Sequence, residues 1–416
     1  MRRPGDPTAR PGPAPARRDL PVGRPERALG RNAPLRSNRP GGLGGVSRPA
    51  WRAPLARCPG PADDRCGGDA RRGRRVVMSS SIAAPSESAE KPWLRSLHRD
   101  EMEELLELQD WHSWLSLLAD WSLIAASFAL VARWPNPLTV VLALFVIGGR
   151  QLGLAVLMHE AAHRTLFRNR RFNDWAGNWL CAYPVWGDLH PYRAYHLQHH
   201  AKTGTAEDPD LGLAAPFPVT RASLRRKVFR DLTGRTGVKR AVATLRRDLG
   251  LSRGKVRRRD GGGLANLRGV AITNAVLFGL CAVAGFPALY LLWPAAWLTT
   301  YSLVMRIRSI AEHGMVPDPA DELRNTRTTL ARWWERVFIA PNRVNYHLEH
   351  HLLMTVPHYH LPRLHRLLRQ RGQLEGACVT QGYPAVLRLA SSRPKGAAAS
   401  QTSGPTETAL TQRPPF

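Results

Sequence analysis

Apolar positions cluster in four long stretches of the chain. Residues 111–134 form the first, and its only charges are Asp120 and Arg133. Trp134-Pro135-Asn136-Pro137 then reads as a tight turn. A second run follows over residues 138–158, interrupted by Arg150 and Gln151. Each run is about 20 residues, the length a helix needs to cross ~30 Å of hydrocarbon. The short turn predicts an antiparallel hairpin. A second hairpin is expected over residues 269–284 and 288–305, turning at Gly285-Phe286-Pro287. Two shorter apolar patches, 172–186 and 333–339, cannot span and read as interfacial or re-entrant pieces. The expected fold is all-α: four spans in two transmembrane hairpins, with a helical cap.

Charge orients this arrangement. Both hairpins return the chain to one side, so residues 159–268 and 306–416 share a face of the membrane. The first of these carries 22 Lys and Arg, whereas the two turns carry essentially none. By the positive-inside rule the shared face is cytoplasmic. The expected location is a multi-pass protein of a bacterial inner membrane with its site on that face. Arg225, Arg226, Lys227, Arg257, Arg258 and Arg259 read as contacts to anionic headgroups rather than to nucleic acid.

The mean hydropathy is slightly negative, because the tails differ from the centre. Residues 1–77 hold 18 Arg and 6 acids, a net +12 of the formal +28. Rich in Pro and Gly and lacking apolar periodicity, they cannot bury enough surface to offset ordering entropy, so disorder is expected. Met78 opens an ordinary polar N-terminus, and the arm before it reads as a start-site artefact. Residues 78–110 are an approach segment, acidic and amphipathic near its end. Residues 111–370 form the membrane domain, and 371–416 a tail that is disordered from about 391. The five cysteines form no Cys-x-x-Cys pair, so neither a zinc ribbon nor a disulfide framework is supported.

The 15 histidines change the picture, because they cluster. His159-Glu160-Ala161-Ala162-His163 sits at the end of the second run, where i and i+4 share a helical face. His196-Leu197-Gln198-His199-His200 and His347-Leu348-Glu349-His350-His351 repeat one spacing, whose i, i+3 and i+4 imidazoles converge on one face. A zinc site takes four ligands at most, so eight imidazoles suit two metals. His313, just past the fourth run, is a candidate ninth. Ligand softness leaves iron, zinc and copper open. His98 and His112 lie outside the clusters, His190 is near the second, and His358, His360 and His365 read as surface or packing residues. A distant alternative is an intramembrane zinc protease using His159, His163 and Glu160 as general base. It leaves six clustered histidines without a role. A basic adaptor driven by the Arg-rich arm is the non-enzyme alternative.

One His-x-x-x-His box followed by two His-x-x-His-His boxes around two hairpins resembles the membrane fatty acid desaturase and hydroxylase superfamily. Neighbouring residues resemble it too: Arg171, Phe172, Asn173 and Asp174 after the first box, Asp208-Pro209-Asp210 after the second, Asn345-Tyr346 before the third. The resemblance covers roughly residues 110–370. It implies a non-haem centre of two Fe ions, O2 as co-substrate, and electrons from a separate ferredoxin, rubredoxin or cytochrome. The implied activity is desaturation of a fatty acyl lipid; hydroxylation or ketolation of a lipid or carotenoid is the alternative. It also implies that Glu160 and Glu349 orient imidazoles, with Asp208 and Asp210 as further candidates.

Overall fold

The computed structural model describes residues 91–252 and 262–394. All lie in the second of two compact units, residues 82–416. The Arg-rich arm, Met78, the basic residues 257–259 and the tail beyond 394 lie outside the described residues.

The described chain is mostly helical, with one departure from the all-α expectation. Strand Thr328–Leu330 pairs in parallel with Val379–Gln381, with Thr328 opposite Val379. Among the described residues, four helices are long and apolar enough to cross a membrane: Asp110–Arg133, Pro137–His163, Gly262–Val283 and Pro287–His313. The second runs five residues beyond the apolar run that announces it. Its start follows from local chemistry. Asn136 accepts hydrogen bonds from the Leu138 and Thr139 amides, and Pro137 occupies the first turn, where its missing N–H costs nothing. The fourth is not one straight helix. Its parts Leu292–Leu298 and Thr300–His313 meet at Thr299, whose backbone leaves the helical region.

Helix Pro137–His163 is the hub, and two-thirds of its most apolar stretch is buried inside the protein. It contacts Asp110–Arg133, both parts of the fourth apolar helix, and the short helix Trp333–Phe338. Close approach requires glycine here. A Cβ at Gly148 would fall 2.3 Å from Thr300 Oγ1, and one at Gly149 would fall 2.8 Å from the Phe338 carbonyl oxygen.

The charges that interrupt the first two apolar runs meet each other. Arg150 donates to Asp120 at 3.0 Å and to the carbonyls of Arg336 and Val337. Asn342 donates to the other oxygen of Asp120 at 2.8 Å and to the Gly153 carbonyl at 3.0 Å. This buried network ties residues 333–342 to the first two apolar helices. Breaking such a pair from one side costs about 3–5 kcal/mol, because the surviving charge is left without its partner.

The approach segment docks on the third histidine box. Trp93, Leu97 and Leu105 pack into one apolar cluster with Leu348, Leu352, Leu364 and Leu368. Residues 172–186, read from sequence as a short apolar patch, form most of helix Arg170–Ala176, a π-helical turn Gly177–Ala182 and a 3-10 turn Tyr183–Val185 against the hub. Turns of the π type are rare and occur frequently at functional sites.

Candidate metal centre

Four helices deliver the clustered histidines. Pro137–His163 carries the first box in its last turns, Leu189–Lys202 carries the second, His347–Leu352 the third, and Thr300–His313 ends on His313. The residues after the first box hold these elements together. Asn173 donates to the Ala161 carbonyl at 2.9 Å, and Arg193, on the second-box helix, donates to Ala162 O at 2.9 Å and pairs with Asp174. Buried Asn345 donates to the Thr329 carbonyl at 3.0 Å beside the third box.

All nine sequence-predicted histidines come together, in two groups. His159, His163, His196, His200 and His350 form one, and His199, His313, His347 and His351 the other; within each group one ring nitrogen per residue lies within 4.8 Å of all the rest. The division refines the expectation of a single shared helical face. Residues i+3 and i+4 point about 100° apart around a helix of 3.6 residues per turn. His196 and His200 therefore enter one group while His199 enters the other. In the third box the assignment is reversed: His347 and His351 join His199, and His350 joins His196 and His200.

The rings are positioned as a cation would need them. His200 Nε2 lies 3.0 Å from His196 Nε2 and 3.1 Å from His350 Nε2, and His347 Nε2 lies 2.8 Å from His313 Nε2. Two imidazoles set at right angles on one ion, with bonds of about 2.1 Å, place their nitrogens about 3 Å apart. Further buried ring nitrogens of His159, His163, His199, His350 and His351 have no hydrogen-bond partner. Lone pairs crowded this way, out of reach of water, fit metal ions and are costly without them. Burial comes first, and the charges of neighbouring imidazoles second, in holding His196, His200, His347, His350 and His351 well below the ordinary histidine pKa. Neutral imidazole is the form that binds metal.

Carboxylates surround the rings unevenly. Asp208 Oδ1 is 2.7 Å from His199 Nδ1, leaving Nε2 to face its group. Burial opposes the charged form of His199, and the Asp208 bond with the charges of Asp210 and Asp208 outweighs it, so the His199 pKa is raised. Glu312 lies 3.7 Å from His347 Nδ1 and accepts from Arg308 at 2.6 Å. Glu160 Oε1 is 3.4 Å from His159 Nδ1, while its other oxygen accepts from Thr165 and the His358 amide.

One expectation needs correction. Glu349 touches no clustered imidazole; it is buried, accepts from Thr328, and lies 2.6 Å from His365 Nδ1. Of the residues read as surface or packing, His358 and His365 are packing residues: both are buried against the carboxylates of the first and third boxes. His190 is exposed, with its side chain in no cluster. Arg308 and Glu312 did have a readable signal, being charges spaced i, i+4 at the end of an apolar run. His365 had none, because only the fold brings it to Glu349.

The fatty acid desaturase family profile matches residues 132–383, more than half of the chain. The chain belongs to the fatty acid desaturase family. It is 29% identical over 265 residues to dihydrorhizobitoxine desaturase of Bradyrhizobium elkanii, covering 60% of this chain and 73% of that one. It is 33% identical over 85 residues to beta-carotene 4-ketolase of Protosiphon botryoides, covering 20% of this chain and 21% of that one. Like other members of the family, this protein is an oxidoreductase.

Proposed function

We propose that the protein is a membrane-bound, O2-dependent di-iron desaturase that introduces a double bond into an aliphatic acyl chain. The observation carrying this reading is the gathering of nine imidazoles into two adjacent groups where two apolar helices end. The five-member group would hold one ion through His159, His163, His196, His200 and His350. The four-member group would hold the other through His199, His313, His347 and His351. When bound, the irons supply the oxidising power to remove hydrogen from an unactivated C–H bond.

The balance requires a partner. Removal of two hydrogens from –CH2–CH2– with reduction of O2 to two waters consumes two further electrons and two protons. A separate ferredoxin, rubredoxin or cytochrome is the proposed source of the electrons. The protein's own residues hold most of the rings neutral, fix their orientation through Asp208, Glu160 and Glu312, and shield much of the centre by burial.

Several features support the membrane setting. Asp110–Arg133 packs on Pro137–His163 across a three-residue turn, which suits a transmembrane hairpin. Gly262–Val283 and Pro287–His313 are read as the second. The basic stretch between them supports a cytoplasmic site. A cavity of ≈ 690 Å³ between the first and third apolar helices, lined by Trp121, Phe128, Leu277 and Phe286 among others and lying toward the hairpin turns, suits hydrocarbon of a surrounding lipid. The similarity to a ketolase favours a second reading, oxygen insertion into a lipid or carotenoid. One experiment tests both: lipid, carotenoid and organic-acid profiling of cells expressing the protein, with iron analysis of the purified chain. A new double bond with two irons per chain is expected. A new hydroxyl or ketone would favour the second reading, and one zinc per chain would defeat both.

A further inference from the structure

A small cavity of ≈ 30 Å³ opens directly on the four-member histidine group. His199, His313 and His347 line it with His196 of the other group, and Asp210 and Arg308 complete the polar lining with Glu312. A single water needs about 10–15 Å³, so the space takes a group of two or three heavy atoms and not a folded hydrocarbon chain.

Arg308 makes this cavity selective. Its side chain is 12% exposed, and its Nε donates to Glu312 at 2.6 Å. That bond uses one of five guanidinium N–H donors. The two terminal nitrogens have no partner among the described residues, yet neither is sealed from the cavity. A cation in the last turns of an apolar helix, with its donor edge open to a cavity beside nine imidazoles, is costly unless a ligand completes it. Glu312 neutralises its charge and fixes its plane. Asp210, also in the lining, accepts from Tyr195 and lies 3.9 Å from His199 Nδ1, where bound metal would offset its charge. A planar, bidentate donor of this kind matches a carboxylate better than an ester carbonyl or an alcohol.

We infer that this cavity receives a free carboxylate of the substrate, with Arg308 as the residue that selects it. The substrate is then an aliphatic acid rather than an ester or thioester, and the carbon attacked lies a few bonds from its acid end. The inference rests on the di-iron desaturase reading and names its substrate class.

The test is equilibrium binding to the purified, iron-loaded full chain in detergent, with hexanoate, its methyl ester and hexan-1-ol as probes. Hexanoate should bind about tenfold or more tighter than the ester or alcohol, the ratio expected when a charge-assisted bond is lost. In Arg308→Gln that preference should vanish, while Arg308→Lys should keep part of it. Iron content equal to wild type in both variants would show the histidine framework intact. Equal binding of acid and ester by the wild type overturns the inference without help from any variant. So does an acid preference that survives Arg308→Gln. Absence of iron in the wild type would defeat the di-iron reading instead, so the two failures are distinguishable.

Discussion

The two histidine groups are built from the same boxes and yet differ in surroundings. The five-member group has one neighbouring carboxylate, Glu160, at 3.4 Å from His159, and that carboxylate is itself held by Thr165 and the His358 amide. The four-member group has Asp208 at 2.7 Å from His199, Asp210 and Glu312 nearby, and the Arg308 cavity on its open side. Three of the four imidazoles of the second group line that cavity, against His196 alone of the first. On the proposed function, substrate approaches from the four-member side.

The largest test of this contrast is loss of one ligand from each group. His350→Ala and His347→Ala should each abolish product while leaving the protein in the membrane. Iron analysis should show one ion weakened in each, more severely for His347→Ala because only three imidazoles remain. Full activity in either variant would sink the ligand assignment.

A smaller effect should separate the supporting carboxylates. Asp208→Asn loses the short bond that orients His199, and removal of such a partner costs about 10–100-fold in metal affinity. Glu160→Gln disturbs a longer contact and should cost less. Equal losses, measured by chelator competition, would erase the proposed difference between the groups.

The smallest effect should touch both groups alike. Glu101 is held below its ordinary value of 4.5 first by a hydrogen bond from Arg371, then by the His98 amide. Because the folded value is depressed, its contribution is present above about 4.5 and lost as pH falls through the lower folded value. The segment it anchors packs on His347–Leu352, which serves both groups. Hydrogen-exchange protection of residues 91–106 should therefore fall in acid, and Arg371→Gln should reduce that dependence to the part the His98 amide supports. Unchanged protection across this range would show that the apolar contacts of Trp93 and Leu105 hold the segment alone.

Much of the fold was legible because each apolar run is long and ends in a turn residue with its own chemistry. Asn136 and Pro137 are residue types suited to a helix start, and 20 apolar residues are long enough to span. The nine histidines were legible because their spacing is local, within a turn or two of helix. Glu349 was misread for the opposite reason: its partners, Thr328 and His365, are set by tertiary packing and not by helical period. Asp120 and Arg150 looked like interruptions of two apolar runs. Only their meeting across 30 positions turns them into one buried pair.

The sequence by itself determined which side chains could hold metal, and that two ions suit them better than one. Tertiary structure decided how the imidazoles divide. Within one helix, i+3 and i+4 diverge by about 100°, and which neighbour waits in each direction depends on how the helices pack. That packing sends His199 to join His313, His347 and His351, and His350 to join the first box. It also sets Arg308 in a cavity with three imidazoles of one group and one of the other, an arrangement that no spacing rule along the chain contains.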